Sequence, residues 1–166
     1  MMIHICSDSS GSSLTEVQPG DVQPNAVDLR IDKIFKSDGS VFVISEDEKI
    51  HRPKVELFPD YYGVWYLEPG YYEVVMQNIV TLGENEAGWV ITRSTLNRNG
   101  VFITSGLYDS GYSGVMAGAM HVTGGPMGIT RGTRVGQFLL FKAESLHLYN
   151  GSYGTGTEHD KKYNKE

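Results

Sequence analysis

"GVWYLEPGYYEVVMQ", residues 63–77, decides the fold class. Two short runs of aromatic and β-branched residues meet at Pro69-Gly70. Residues of that kind favour strands, and Pro-Gly marks a turn. The stretch reads as two strands joined at that turn. The same signal repeats outward in both directions. Upstream, "AVDLRI" (26–31) alternates with Val27, Leu29 and Ile31 on one face, "SDGSV" (37–41) is a turn followed by "VFVIS" (41–45), and "KVELF" (54–58) precedes a Pro-Asp turn. Downstream come "WVITRS" (89–94), "GVFITSGLY" (100–108), "SGVMAGAMHV" (113–122), "ITRGTRVGQFLLFKAE" (129–144) and "LHLYN" (146–150). Strand signals separated by regular turn punctuation predict an all-β sandwich or barrel. Helix is scarce: "RSTLNRNG" (93–100) is expected to form one short turn ending at Gly100.

The chain has 166 residues, enough for one domain with a real core. Residues 1–20 are Ser/Gly-rich and read as loop or short edge strand, and the expected β domain spans residues 1–150. From about Gly151 the sequence turns polar, "GSYGTGTEHDKKYNKE", and residues 151–166 are expected to be a flexible tail. Net charge is −6, so there is no basic footprint for duplex nucleic acid. Phosphates would have to be met by a few placed groups. No run approaches the roughly 20 apolar residues of a membrane helix. Nothing reads as a signal peptide, and one cysteine, Cys6, cannot form an internal disulfide. A cytoplasmic protein is expected, in host cytoplasm if the source is viral. The five histidines show no HxH or HxxxH spacing of a zinc site.

Four segments combine glycine, a hydrogen-bonding side chain and a charge: "NAVDLR" (25–30), "TRSTLNRNG" (92–100), "GLYDSGYSG" (106–114) and "RGTRVGQF" (131–138). They supply Arg93, Arg98, Arg131 and Arg134, the hydroxyls of Ser94 and Thr95, the amide of Gln137, and the carboxylates of Asp28 and Asp109. That set suits a polyphosphate. Guanidiniums pair with phosphate oxygens two bonds at a time, and hydroxyls and glycine-rich backbone add neutral donors. A carboxylate beside a phosphate can orient and deprotonate water. Each residue also has a plainer reading. Asp109 can open a turn, Asp28 can face outward from its strand, and Arg-Ser-Thr can be a solvated strand end.

The order of these segments resembles the trimeric dUTPase and dCTP deaminase superfamily. "QPNAVDLRI" (23–31) is similar to its Asp-Leu-Arg strand, and "LEPGYYEV" (67–74) to its Pro-Gly turn before a core strand. "TRSTLNRNG" resembles the Arg-Ser-Ser-Leu motif with Thr95 for the second serine, and "GLYDSGYSG" the Gly-x-Ile-Asp-x-x-Tyr-x-Gly motif with Tyr108 for the aliphatic. "RGTRVGQFLLF" (131–141) resembles the Pro-Gly-x-Arg-x-x-Gln segment with Arg131 for proline, and "YNGSYGTG" (149–156) the Tyr-x-Gly-Lys-Tyr tail with Ser152 for lysine. The resemblance runs from about Val22 to Gly156. It implies a distorted jelly-roll (β-clip) sandwich assembling as a homotrimer, with active sites at subunit boundaries.

The family holds two chemistries. Its deaminases use a glutamate ten residues after the motif Asp; here that position is Ala119, and no Glu or Asp occurs between Asp109 and Glu144. A methyl group cannot shuttle protons. The resemblance therefore implies a dUTP diphosphatase, releasing dUMP and pyrophosphate. In that reading Asp109 is the catalytic base, and Arg93, Ser94, Thr95 and Gln137 hold phosphates. The hairpin around Thr104–Leu107 reads the uracil edge with backbone groups, those of Gly106 and Leu107 among them, and Tyr112 packs on the deoxyribose. Mg²⁺ rides on the substrate phosphates with no direct protein ligand; Asp28 orders its water shell or, equally, fixes an arginine. The tail lacks the family's usual Arg and Phe; Tyr153 is the expected stacking ring, Lys161 or Lys162 the cation, and the segment is suited to closing over the site. The alternatives are a dCTP deaminase and a non-catalytic deoxynucleotide-binding protein of the same fold.

Overall fold

The computed structural model describes residues 1–163. Thirteen strands follow in chain order: β1 (Met2–Ile3), β2 (Ser13–Leu14), β3 (Val27–Ser37), β4 (Val43–Ile44), β5 (Lys49–Ile50), β6 (Lys54–Leu57), β7 (Val64–Leu67), β8 (Gly70–Thr81), β9 (Glu86–Thr92), β10 (Val101–Thr104), β11 (Ser113–Val122), β12 (Met127–Thr130) and β13 (Arg134–Lys142). A single helical turn, α1 (Ser94–Asn97), and a 3₁₀ turn, Asp160–Tyr163, complete the elements. The expected all-β, jelly-roll-type sandwich is present, with every named pairing antiparallel.

β3 organises the sandwich by belonging to both of its layers. Val27–Arg30 pair with β13, which also pairs with β1 and β9. Ile31–Phe35 pair with β8, which continues through β11 to β10. A register shift between Ile31 and Lys33 marks the crossing. The extra residue flips the inward parity, so Val27, Leu29 and Ile31 are core residues on one side of it and Ile34 on the other. The two strands of residues 63–77 do not pair with each other. β7 joins β12, while β8 lies in the centre of the larger layer.

β8 is buried on both faces. Tyr72, Val74, Met76 and Val80 enter the main core with Leu29, Met116, Met120 and Phe138. Val75 on the opposite face joins Phe35, Val115 and Tyr163 in a second, smaller apolar cluster. Tyr163 therefore brings the C-terminal segment onto the outer face of the sheet. Burying a side chain of that size contributes about 2 kcal/mol.

α1 forms where expected, and the chain leaves it through Gly100 at φ +69°. A β-carbon there would also meet the Gly124 backbone at 2.7 Å. Two sequence expectations need correction. "ITRGTRVGQFLLFKAE" is two strands: the chain turns at Arg131–Thr133, with Gly132 at φ +84° and Thr133 N donating to Thr130 O at 3.1 Å. "LHLYN" is not a strand. Its alternation finds no sheet edge, and the segment is held by Tyr149 N donating to Ser110 O and by the Tyr149 ring on Tyr112.

Candidate functional site

The predicted residues fall into two groups, one at the C-terminal end of β9 and one about the β10–β11 connection. The first gathers on Asp28, which is fully buried in β3. Gln137 is its cross-strand partner on β13 and donates its amide to Asp28 Oδ1 at 3.0 Å. Arg134 Nη1 donates to Oδ2 at 3.2 Å, and Arg93 Nε lies 3.4 Å from the same oxygen. Asp28 thus does not face outward. Its oxygens are committed to two guanidiniums and an amide, which fits the arginine-fixing alternative. Arg93 is placed by Thr92, whose hydroxyl both donates to Ile103 O and accepts from Ile103 N, locking the end of β9 to β10. Ser94 and Thr95 open α1 and are exposed. Of the other arginines in the predicted set, Arg131 pairs with Asp32, and Arg98 is exposed after α1.

The second group surrounds a cavity of about 470 Å³, and Gly106, Leu107, Tyr112 and Tyr153 all line it. Gly106 and Leu107 lie exposed in the connection from β10 to β11. Tyr112 is almost fully buried, its hydroxyl donating to Val115 O at 2.9 Å and its ring 5.3 Å from those of Tyr108 and Tyr149. Burial pushes its phenol well above the ordinary tyrosine range, so it stays neutral. Tyr108, in the family's aliphatic position, is also buried and donates to Ala117 O at 3.2 Å. Its ring packs into the main core beside those of Tyr112 and Phe138.

Asp109 itself is exposed and makes no side-chain hydrogen bond or ion pair among the described residues. Its backbone carbonyl accepts from Tyr112 N at 3.0 Å, so the turn reading also holds. The loop is fixed on both sides of it. Tyr108 exchanges backbone hydrogen bonds with Gly88, and Ser110 Oγ donates to Glu86 O at 2.7 Å. The Asp109 carboxylate is thus free on a loop whose backbone is fixed. Arg93 lies five residues beyond Gly88 along β9, roughly 17 Å at about 3.4 Å per residue. Within one chain, Asp109 and the Arg93 group do not meet.

Several site residues were not anticipated. The cavity is also lined by Glu73, Lys54, His159, Asp160 and Tyr163. Glu73 is 8% exposed and contacts Lys54, Lys162 and the Tyr163 hydroxyl. Burial alone would raise its carboxyl; the Lys54 hydrogen bond and the charges of Lys162 and Lys54 outweigh that and hold it below the usual range. The signal in sequence was slight, a lone carboxylate in the apolar run "YYEVVM". Glu73 is also the cross-strand partner of Ala119, which in turn faces Thr104. Of the lysines proposed for the tail, Lys162 reaches Glu73, whereas Lys161 pairs with Glu158.

Comparison with known proteins identifies the class this frame defines. The dCTP deaminase-like family profile matches residues 3–143, and the chain belongs to that family. A protein of Aeropyrum pernix named probable deoxyuridine 5'-triphosphate nucleotidohydrolase is 32% identical over 138 residues, covering 81% of this chain and 85% of its own. A Kocuria rhizophila protein named dCTP deaminase, dUMP-forming, is 31% identical over 158 residues, covering 89% and 81%. Among solved structures, the 2'-deoxycytidine 5'-triphosphate deaminase of Agrobacterium tumefaciens superposes with a TM-score of 0.62 at 18% identity. That match covers 78% of this chain but only 42% of the deaminase, so the likeness is one of fold.

Proposed function

We propose that this chain is a dUTP diphosphatase, hydrolysing dUTP to dUMP and pyrophosphate at sites shared between copies of a homotrimer. The observation that carries the reading is Asp109: an exposed, unpaired carboxylate on a pinned loop, adjoining a cavity of nucleoside size. The curated relatives named for dUTP hydrolysis, such as that of Aeropyrum pernix, support it.

In this reading Asp109 accepts a proton from water. The water oxygen bonds to the α-phosphorus, the bond to the bridging oxygen breaks, and pyrophosphate departs. Arg93, Ser94, Thr95 and Gln137 take phosphate oxygens, and charge-assisted bonds of this kind can supply much of the barrier reduction. Asp28 acts through them by fixing Arg93, Arg134 and Gln137. The Gly106–Leu107 backbone meets the uracil edge, Tyr112 walls the deoxyribose and Tyr153 covers the base. A base with donor and acceptor exchanged leaves buried groups unpaired, at about 1–3 kcal/mol each.

Magnesium enters as part of the substrate. No three His, Cys, Asp or Glu side chains gather into a metal cluster among the described residues, and the oxygens of Asp28 are already committed. That donor set fits an ion brought by the triphosphate. Bound there, it would neutralise phosphate charge.

The separation of Asp109 from Arg93 requires that another copy complete each site. Specific activity should therefore fall on dilution below the dissociation constant of the assembly. The deaminase alternative needs a free proton shuttle near Ala119. Glu73 faces that position, but its oxygens are held by Lys54, Lys162 and Tyr163, which favours the hydrolase.

A pyrophosphate-release panel with dUTP, dCTP, dTTP and UTP in Mg²⁺ tests the reading. Release from dUTP is expected to dominate. Asp109→Asn should lower kcat by about 10²–10⁴ while dUTP still binds. Undiminished turnover in that variant would remove Asp109 from the mechanism. Conversion of dCTP to a uracil nucleotide would favour the deaminase.

A further inference from the structure

The outer face of β8 carries one carboxylate, Glu73, that the proposed reaction does not use. It lies almost buried between Tyr72 and Val74. Cationic and phenolic groups converge on it from two places. Lys54 comes from β6, two strands away across β3. Lys162 Nζ at 3.2 Å and the Tyr163 hydroxyl at 3.1 Å come from the C-terminal 3₁₀ turn. The Tyr163 ring seats beside Phe35, Val75 and Val115, with ring centroids 6.0 Å from Phe35.

That anchor is connected to the cavity. Asp160, at the start of the same turn, accepts from Gly154 N at 2.9 Å and sits 2.9 Å from His159 Nδ1. The His159 ring is edge-on to Tyr153 at 4.5 Å. Thr155 N donates to Ser113 O at 2.8 Å, beside the loop of Asp109 and Tyr112. Tyr153, His159, Asp160 and Tyr163 are all cavity wall.

We infer that Glu73 is a positioning residue of this site: through Lys162 and Tyr163 it latches the chain's own C-terminal segment, so that Tyr153, His159 and Asp160 close the cavity that Gly106, Leu107 and Tyr112 open in the same chain. Lys54 makes the latch reversible. When the segment lifts, Lys54 stays on Glu73, and the carboxylate is not left as a buried, unpaired charge. The Lys162 ion pair, the Tyr163 hydrogen bond, the apolar seat and the Thr155–Ser113 backbone hydrogen bond are broken. The kinetic arm of this inference rests on the proposed dUTP hydrolysis; the structural arm does not.

The test is amide hydrogen exchange at Gly154 and Thr155 in the full chain, alongside steady-state kinetics with dUTP. Glu73→Gln should speed exchange at both amides at least tenfold. It should also raise KM for dUTP at least fivefold, with kcat changing less than twofold. Glu73→Asp should recover part of both effects. Tyr163→Phe, which keeps the carboxylate and both lysines, should speed exchange by roughly threefold and guards against a folding defect in the Glu73 variants. Asp109→Asn should show the reverse pattern, lost turnover with exchange unchanged. Exchange within twofold of the parent chain in both Glu73→Gln and Tyr163→Phe would overturn the latch. If no variant, nor the parent chain, hydrolyses dUTP, the functional reading fails while the exchange result still decides the latch.

Discussion

Asp28 has no exposure, and its two oxygens are divided between the Gln137 amide and two guanidiniums. Of the readings its alternating strand allowed, the plainest had the side chain facing water. What covers it comes from β13 and from the corner after β9, more than sixty residues away in sequence. Alternation along one strand therefore could not reveal the burial. Removing the carboxylate charge would leave two arginines partly buried without their counter-ion. Breaking a buried pair costs about 3–5 kcal/mol. Arg93 and Arg134 keep about a third of their side-chain surface, which places Asp28→Asn near 3 kcal/mol. Urea unfolding should show that loss, together with a raised KM for dUTP as Arg93 and Gln137 lose their common anchor. Asp109 is the opposite case. Its motif position was legible, and the structure adds that the side chain is free while the loop is fixed.

The β10–β11 hairpin depends on one close approach. Gly118 lines the cavity, and a β-carbon there would lie 2.5 Å from the carbonyl oxygen of Thr104 on the neighbouring strand. The obstacle is backbone, so no rotamer change relieves it. Gly118→Ala should separate the two strands locally, cost about 1–3 kcal/mol as overpacking does, and raise KM for dUTP more than it lowers kcat. Thermal unfolding and steady-state kinetics would check both parts. Most strands and α1 were legible because period-two patterning and turn residues are local signals. "LHLYN" carried the same local signal and failed, because a strand also needs an unpaired edge, and that is a property of the assembled sheet.

Over the whole molecule, three buried carboxylates share one electrostatic pattern. In Asp21, Glu86 and Glu73 burial favours the neutral acid, yet their partners prevail: Arg30 on Asp21, Lys142 with Ser12 and Gly11 on Glu86, and Lys54 with Lys162 on Glu73. All three are held below the ordinary carboxylate range. A group depressed on folding contributes stability that is complete above its unfolded value, near 4, and lost as pH falls through its folded value. The melting temperature should thus be little affected by these groups from pH 7 to 5 and drop steeply toward pH 3. A midpoint that held steady to pH 3 would contradict the three ion pairs. The sequence by itself determined the all-β class, the Asp109 loop, the Arg-Ser-Thr corner and the family they resemble, because turn chemistry, strand period and motif order are all written along the chain. Only the tertiary structure decided that Asp28 is sealed beneath two arginines, that Glu73 holds the C-terminal segment, and that Asp109 and Arg93 stand at opposite ends of β9. Burial and charge pairing arise between residues brought together by folding, and no local pattern encodes which distant partner arrives.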